Sequence, residues 1–305
     1  MLDPVERQLR LPSPIQEIFP NWIKNSTCRL FVKRDDLIHP HICGNKWRKL
    51  KYNLLEAKLK DAHVLLTYGG AFSNHLVAVA AAGYFLKIST IGIIRSYEHS
   101  IQNPTVEILK SYGMSLSFAH PRDFNSKGWR SNYLKQIEGS FEISEGGTNT
   151  LAIQGVQELV EEQDLSHYSH ILLAVGTGGT LAGLLNSDLK SKVIAVSPFK
   201  NHINDFKGLR YLKSKSLNFE IVNSALNSKF GSYHEEMLTF ANQFLEETDI
   251  SLDPIYTAKA MMTLKSIIDR CEIEEGSNVL FLHTGGLQGI QGFNERYNCN
   301  FHVKK

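Results

Sequence analysis

The residue best placed to do chemistry is Lys46, in Gly44-Asn45-Lys46-Trp47-Arg48-Lys49-Leu50. It follows an extended apolar-then-charged segment, Phe31-Val32-Lys33-Arg34-Asp35-Asp36-Leu37, and precedes Leu50, Leu54, Leu55 and Ala57, which have helical spacing. Lys46 therefore falls at a loop-to-helix junction, behind a glycine and an asparagine that tolerate special backbone angles. The positive end of the helix dipole disfavours a cation there. A lysine so placed gives up its proton more readily and becomes a better amine nucleophile toward an aldehyde. Arg48, Lys49 and Lys51 lie beside it, so a solvated basic patch is the rival reading.

Three glycine-rich turns follow strand-like runs: residues 68–75, 176–180 and 283–286. In open parallel sheets, ligands sit beyond the C-terminal strand ends. Gly176-Thr177-Gly178-Gly179-Thr180 brings backbone N–H groups and two hydroxyls to a helix start, which suits a phosphate. No Gly-Lys-Ser/Thr follows, and Leu181 stands where a dinucleotide fingerprint needs glycine or alanine. The expected ligand group is a compact monophosphate, with no metal site. A tight turn alone explains the glycines but not Thr177 together with Thr180.

Ser73-Asn74-His75 offers a hydroxyl, an amide and an imidazole to a carboxylate or a phenolic oxygen; helix capping and a packed histidine are the rival reading. Tyr256 follows Asp253-Pro254-Ile255 at a helix start, as a candidate beside a nucleophile or as packing behind a capping aspartate. An amine nucleophile, a monophosphate cup and two polar turns together point to pyridoxal 5'-phosphate (PLP). That cofactor has an aldehyde, a phosphate, a phenolic oxygen and a ring nitrogen.

The elements that must position these residues alternate helix and strand. Helix over 50–60 precedes strand 63–67, helix 74–82, strand 88–94, helix 104–112, strand 114–118, helix 129–137 and strand 141–143. The alternation restarts with helix 150–162 and the apolar strand Ile171-Leu172-Leu173-Ala174-Val175, which reads as buried on both faces. Helix 181–185, strands 193–196 and 219–222, helices 233–247 and 256–270, and strand 278–282 follow. This order predicts parallel sheets with crossover helices. Residues 1–40 are proline-punctuated and are expected to wrap over the body; 201–217 reads as a polar loop.

The chain has 305 residues, 42% of them hydrophobic, enough for one large or two intimate domains. A net charge of +2 gives no general attraction to nucleic acid. Cys28, Cys43, Cys271 and Cys299 are scattered, against a disulfide framework or a structural metal. The N-terminus lacks the order of a signal peptide, and the longest apolar run, Leu76 to Leu86, is 11 residues, too short to span a bilayer. A cytoplasmic protein without membrane partners is expected.

Seven motifs in one order resemble the 1-aminocyclopropane-1-carboxylate (ACC) deaminase / D-cysteine desulfhydrase family of PLP enzymes. They are Lys33-Arg34-Asp35-Asp36-Leu37, Gly44-Asn45-Lys46-x-Arg48-Lys49-Leu50, Gly69-Gly70-x-x-Ser73-Asn74-His75, Glu145-Gly146-Gly147-Thr148-Asn149, Gly176-Thr177-Gly178-Gly179-Thr180, Asp253-Pro254-Ile255-Tyr256-Thr257 and His283-Thr284-Gly285-Gly286. The resemblance implies the tryptophan synthase β-like PLP fold (fold type II): two three-layer α/β/α domains with mostly parallel sheets. Residues 1–50 plus 151–305 would form the large PLP-binding domain and 51–150 the small one, in a homodimer. It implies Lys46 as the lysine bonded to the cofactor aldehyde and Asn74 at the phenolic oxygen. Gly176, Thr177, Gly178, Gly179 and Thr180 would hold the phosphate, and Thr284 would face the ring nitrogen. Ser73, Asn74 and His75 would bind the substrate carboxylate, with Ser73 also a proton-transfer candidate and Tyr256 lining the substrate pocket.

ACC deaminases resemble one another in carrying glutamate where this chain has Thr257 and leucine where it has Thr284. They also carry a second active-site tyrosine 26 residues before the first, where this chain has Phe230; Tyr233 is the nearby hydroxyl. The threonine pair is similar to the D-cysteine desulfhydrase branch. A neutral threonine leaves the ring nitrogen largely unprotonated, a weaker electron sink than a glutamate partner gives. The implied reaction is elimination from a small amino acid, D-cysteine or a β-substituted relative, to pyruvate, ammonia and sulfide. ACC deamination to 2-oxobutanoate and ammonia, another PLP lyase or racemase, and a catalytically silent PLP-binding protein stay open.

Overall fold

Short apolar runs that alternate with amphipathic helices leave the chain one economical solution, which is to stack the runs as sheets and cover both faces. The computed structural model describes residues 2–200, 206–213, 218–226 and 228–304. In chain order α1 (Asp3–Glu6), β1 (Ile15–Ile18), β2 (Arg29–Lys33) and α2 (Asn45–Leu59) lead into β3 (Val64–Gly70), α3 (Asn74–Leu86), β4 (Ser89–Arg95) and α4 (Pro104–Ser111). Then come β5 (Ser115–Ala119), α5 (Pro121–Asn125), α6 (Lys127–Lys135), β6 (Ser140–Ile143), α7 (Thr150–Glu162), β7 (His170–Ala174) and α8 (Gly179–Leu185). The chain closes with β8 (Lys192–Ser197), β9 (Phe219–Asn223), α9 (Glu235–Thr248), α10 (Thr257–Asp269), β10 (Asn278–Leu282) and α11 (Gly289–Tyr297).

One sheet runs β1-β2-β10-β7-β8-β9 and the other β5-β4-β3-β6. Among the described residues only the β1–β2 pairing is antiparallel. The two-residue period of β7 sends Ile171 and Leu173 toward Val156, Leu159, Leu181 and Leu184 of α7 and α8. It sends Leu172 and Ala174 toward Met237, Phe244, Met261 and Leu264 of α9 and α10. In the smaller sheet, Leu65, Ile94 and Ile143 pack with α2, α3 and α4, while Leu66, Tyr68 and Ile93 pack against Phe124 and Trp129 of α5 and α6. Each sheet is the middle of three layers.

Residues 1–40 do more than wrap. β2 lies inside the larger sheet, antiparallel to β1 and parallel to β10. Pro14 and Pro20 bracket β1, so the proline punctuation marks strand ends. Leu30 and Val32 enter the core. Buried Lys33 bonds the Ser13 carbonyl at 2.5 Å and the Gln163 amide oxygen. α11 was hidden by Gly289 and Gly292; a Cβ at Gly292 would lie 2.8 Å from the Phe72 ring, so the glycine permits this packing. Within 201–217, residues 201–205 and 214–217 lie outside the described ones, and Lys207–Tyr211 forms a 3-10 turn instead of loop.

Two buried polar ties set where α2 and α3 begin. Gly44, at φ +59°, caps α2, and a Cβ there would lie 1.8 Å from the Thr284 carbonyl oxygen, so only glycine lets α2 start against the turn after β10. One turn on, Arg48 is 2% exposed. Its Nε and Nη2 reach Asp35 at 2.8 and 3.0 Å, and its Nη1 and Nη2 each reach Glu162 at 2.9 Å. Burial alone would raise the Asp35 carboxyl; the guanidinium reverses this and holds it below the usual carboxylate range. Arg48 and Lys49 are thus not a solvated basic patch, since Lys49 is 3% exposed. The second tie is Thr67. Its Oγ1 donates to the Ile143 carbonyl at 2.8 Å and so accepts from His75 Nε2 at 2.8 Å. His75 Nδ1 is left with a lone pair and no partner. Burial first, then the Lys46 and Lys49 charges, hold His75 neutral, with a pKa lowered to about 3.

Replacing Arg48 by methionine leaves Asp35 buried without its main counter-charge, so urea denaturation of Arg48→Met should show a loss of about 3–5 kcal/mol; a loss under about 1 kcal/mol contradicts the clamp. For His75, the unfolded chain takes up a proton near the ordinary histidine pKa of 6.5 and the folded chain only near 3. Stability should therefore fall as pH drops from 6.5 toward 3, and His75→Gln should flatten that slope by up to about 1.4 kcal/mol per pH unit. Equal slopes for both proteins would show that His75 protonates freely in the fold.

Candidate active site

The C-terminal ends of both sheets meet at one cavity of about 450 Å³. Its wall includes Gly69 and Gly70 from β3, Arg95 from β4, residues 175–178 after β7 and 284–286 after β10. The starts of α2, α3 and α8, the turn before α10 and Gly289, Gly292, Phe293 and Arg296 of α11 also contribute to it. Of the residues singled out in the sequence, Lys46, Ser73, Asn74, His75, Gly176, Thr177, Gly178, Thr180, Tyr256 and Thr284 all line it. Gly179 does not; a Cβ there would meet Thr148 Oγ1 at 2.9 Å and Lys49 Nζ at 3.2 Å, behind the wall.

Lys46 Nζ donates to Asn45 Oδ1 at 2.8 Å, and Asn45 Nδ2 donates to Thr180 Oγ1 at 2.9 Å. Two hydrogen bonds thus join the nucleophile candidate to the glycine turn. Burial pushes the Lys46 amine below the ordinary lysine range, while the Cys43 thiol and Asp253 carboxylate pull the other way. Burial is therefore the main cause of the lowered pKa, where the sequence suggested the helix dipole.

The sequence reading missed Lys49. It lies three residues after Lys46 on α2, on the same side of the helix. Its Nζ donates to the Gly146 carbonyl at 3.3 Å. Burial, then the charge of Lys46, push it well below the ordinary lysine range. Among the described residues no carboxylate makes an ion pair with Lys46 or Lys49. The cup beside Lys49 is built for a compact group. Gly178 sits at φ +84°, Gly208 N–H bonds the Thr177 carbonyl at 2.8 Å, and the Thr148 and Thr177 hydroxyls are 2.5 Å apart. A Cβ at Gly208 would lie 2.2 Å from the Gly178 carbonyl, so the 3-10 turn closes the cup from outside. A buried lysine amine beside convergent N–H and hydroxyl donors fits the phosphate of PLP. The spacing of two lysines by three residues was the signal available for Lys49.

The other candidates divide by chemistry. Ser73 caps α3, its Oγ accepting from Leu76 N–H at 3.3 Å, yet it also lines the cavity. Asn74 Oδ1 accepts from Gln288 Nε2 at 2.7 Å. His75, expected to bind substrate, has no N–H to offer, because Nε2–H is taken by Thr67. Asp253 caps α10, accepting from the N–H groups of Ile255, Tyr256 and Thr257 at 2.9, 2.9 and 2.8 Å and pairing with Thr257 Oγ1 at 2.7 Å. Thr257 is fully buried there and does not line the cavity. Tyr256 stands within 3.5 Å of where a Gly176 Cβ would be. Burial, then Asp253, raise its pKa, so it keeps its proton at neutral pH. Phe230 is 69% exposed at the cavity mouth, its ring 4.8 Å from Phe199. Tyr233 does not replace the missing hydroxyl: it bonds Glu235, stacks on Tyr297 and is absent from the wall.

Among the described residues no cluster of histidine, cysteine and acidic side chains could hold a metal, and no helix is long and apolar enough to cross a membrane. All four cysteines are free thiols. A family profile described as pyridoxal-phosphate dependent enzyme matches residues 8–285. The chain is 32% identical to the bifunctional D-cysteine desulfhydrase/1-aminocyclopropane-1-carboxylate deaminase, mitochondrial, of Arabidopsis thaliana, over 92% of this chain and 77% of that protein. It is 29% identical to a putative 1-aminocyclopropane-1-carboxylate deaminase of Pyrococcus horikoshii, over 93% and 92%. A crystal structure of an ACC deaminase homologue superposes with a TM-score of 0.77 at 27% identity, covering 95% of this chain and 94% of that one. The chain belongs to the pyridoxal-phosphate-dependent ACC deaminase / D-cysteine desulfhydrase family, with its tryptophan synthase β-like fold, and is a PLP-dependent lyase/deaminase.

Proposed function

We propose that the substrate is D-cysteine or a related β-substituted amino acid, cleaved to pyruvate, ammonia and sulfide. The observation that carries this reading is that, among the described residues, no free acid stands beside Thr284 in the cavity. Thr284 lines it, Thr257 is withdrawn, and the carboxylate of Asp253 is taken up by the cap of α10. A ring nitrogen without an acidic partner stays largely unprotonated and favours loss of a good leaving group over opening a cyclopropane. The name of the Arabidopsis relative includes both reactions, and the neutral threonine favours the first.

When bound, PLP supplies an aldehyde for an amine and a conjugated ring that accepts electron density. Lys49, the turn 176–180 and the hydroxyls of Thr177 and Thr180 hold its phosphate. Asn74 holds its phenolic oxygen and Thr284 faces its ring nitrogen. Lys46 would hold its aldehyde, and its Nζ, whose pKa burial lowers, would take the α-proton of the substrate. Ser73 and the first N–H groups of α3 bind the substrate carboxylate. Tyr256, protonated at neutral pH, gives its proton to the departing sulfur. His75 is kept neutral and holds α3 in place. Residues 1–50 with 151–305 and residues 51–150 act as the two domains on either side, in a cytoplasmic homodimer. Support for the assembly is the family resemblance alone; the free thiols fit a reducing compartment.

The purified protein should release sulfide and pyruvate in equal amounts from D-cysteine, and no more than traces of 2-oxobutanoate from ACC. Tyr256→Phe should lower kcat on D-cysteine by about 100-fold or more. Lys49→Met should weaken PLP binding roughly 10- to 100-fold. Faster turnover of ACC than of D-cysteine would overturn the substrate reading. Unchanged PLP affinity in Lys49→Met would overturn the phosphate assignment.

A further inference from the structure

Asn74 can present either end of its amide to the cavity, and the two ends have opposite polarity. Two further side chains decide between them. Gln288, at the N-cap of α11, donates from Nε2 to Asn74 Oδ1 at 2.7 Å. The Cys43 thiol donates from Sγ to Gln288 Oε1 at 3.6 Å. Cys43 is 3% exposed, and burial pushes its thiol up, so its proton stays on sulfur at neutral pH. A thiol has one proton to give and is a weak acceptor. Gln288 must therefore turn its oxygen to Cys43 and its nitrogen to Asn74. Asn74 must in turn point its oxygen at Gln288. What remains for the cavity is Asn74 Nδ2 and its two N–H groups, which no protein acceptor among the described residues takes. Nδ2 lies 3.0 Å from where a Gly286 Cβ would sit, so the glycine turn after β10 leaves that end open.

We propose that Gln288 is a positioning residue: it holds the Asn74 amide so that N–H donors, and not a carbonyl lone pair, face an anionic oxygen of the cofactor. Cys43 sets the direction of this relay. The proposal rests on the reading of Asn74 as the partner of the phenolic oxygen. The relay joins the segment just before α2, the first residue of α3 and the start of α11. A glutamate at 288 would offer only acceptors. It would draw the Asn74 NH2 group to itself and swing the Asn74 carbonyl toward the cavity, a repulsive contact with a phenolate.

A double-mutant cycle on PLP affinity, read by quenching of tryptophan fluorescence in the apo protein, tests this without any turnover. Asn74→Ala and Gln288→Glu should each weaken PLP binding roughly 10- to 100-fold. The double variant should be no weaker than the weaker single variant within about twofold, because both act through one amide. Gln288→Leu, which removes the partner without reversing the polarity, should fall between wild type and Gln288→Glu, and serves if the glutamate variant does not fold. Full additivity of the two losses would overturn the relay, as would unchanged affinity in both Gln288 variants while Asn74→Ala binds weakly. Unchanged affinity in Asn74→Ala would overturn the reading of Asn74, and the proposal with it.

Discussion

Arg48 decides where everything else stands. Its guanidinium lies between Asp35, just after β2, and Glu162, at the end of α7, with all three groups in hydrogen-bond contact. A buried ion pair of this kind adds little net stability, because the charges give up their hydration. Its value here is register. The close approach of α7 to the Arg48 carbonyl, where a Cβ at Gly155 would lie 2.0 Å away, allows α2 only one height against α7. With Gly44 pressed on the turn after β10, the first turn of α2 is held at both ends. Lys46 and Lys49 project from that turn.

The consequence is a pocket rich in suppressed cations. Lys46, Lys49 and His75 line one cavity, and each is shifted toward its neutral form chiefly by burial. Such a site is poorly satisfied by protein alone and well satisfied by a dianionic phosphate with an electrophilic carbon a few ångströms away. The neutral His75 matters because a charge on it would oppose the ammonium forms of Lys46 and Lys49. The arrangement also explains a division of labour between lysines. Both line the cavity, but Lys49 is buried and bonded to the Gly146 carbonyl beside the cup, whereas Lys46 is half-buried.

Much of this was legible in the sequence, for local reasons. The apolar run of β7 needed two covered faces and has them, and the glycine turns mark strand ends because backbone must approach a ligand there. The loop-to-helix placement of Lys46 follows from local backbone preference, although α2 starts at Asn45, ahead of the expected Leu50. What was not legible depends on distant partners. Lys49 looks like any surface lysine until Gly146 and Gly179, about a hundred residues on, enclose it. β2 reads as a short mixed segment until β10 pairs with it. α11 carries two glycines that weaken its helical signal and serve its packing on Phe72. The tautomer of His75 and the direction of the Asn74 amide are set by single hydrogen bonds across the fold.

The chemistry of the site turns on one proposed covalent bond, from Lys46 to the cofactor aldehyde. It is tested most directly by reducing the PLP-loaded protein with borohydride, digesting it and locating the phosphopyridoxyl mass by tandem mass spectrometry. A single modified peptide, with the added mass on Lys46, is expected. Modification of Lys49 or Lys259 in its place, or of no lysine at all, would contradict it.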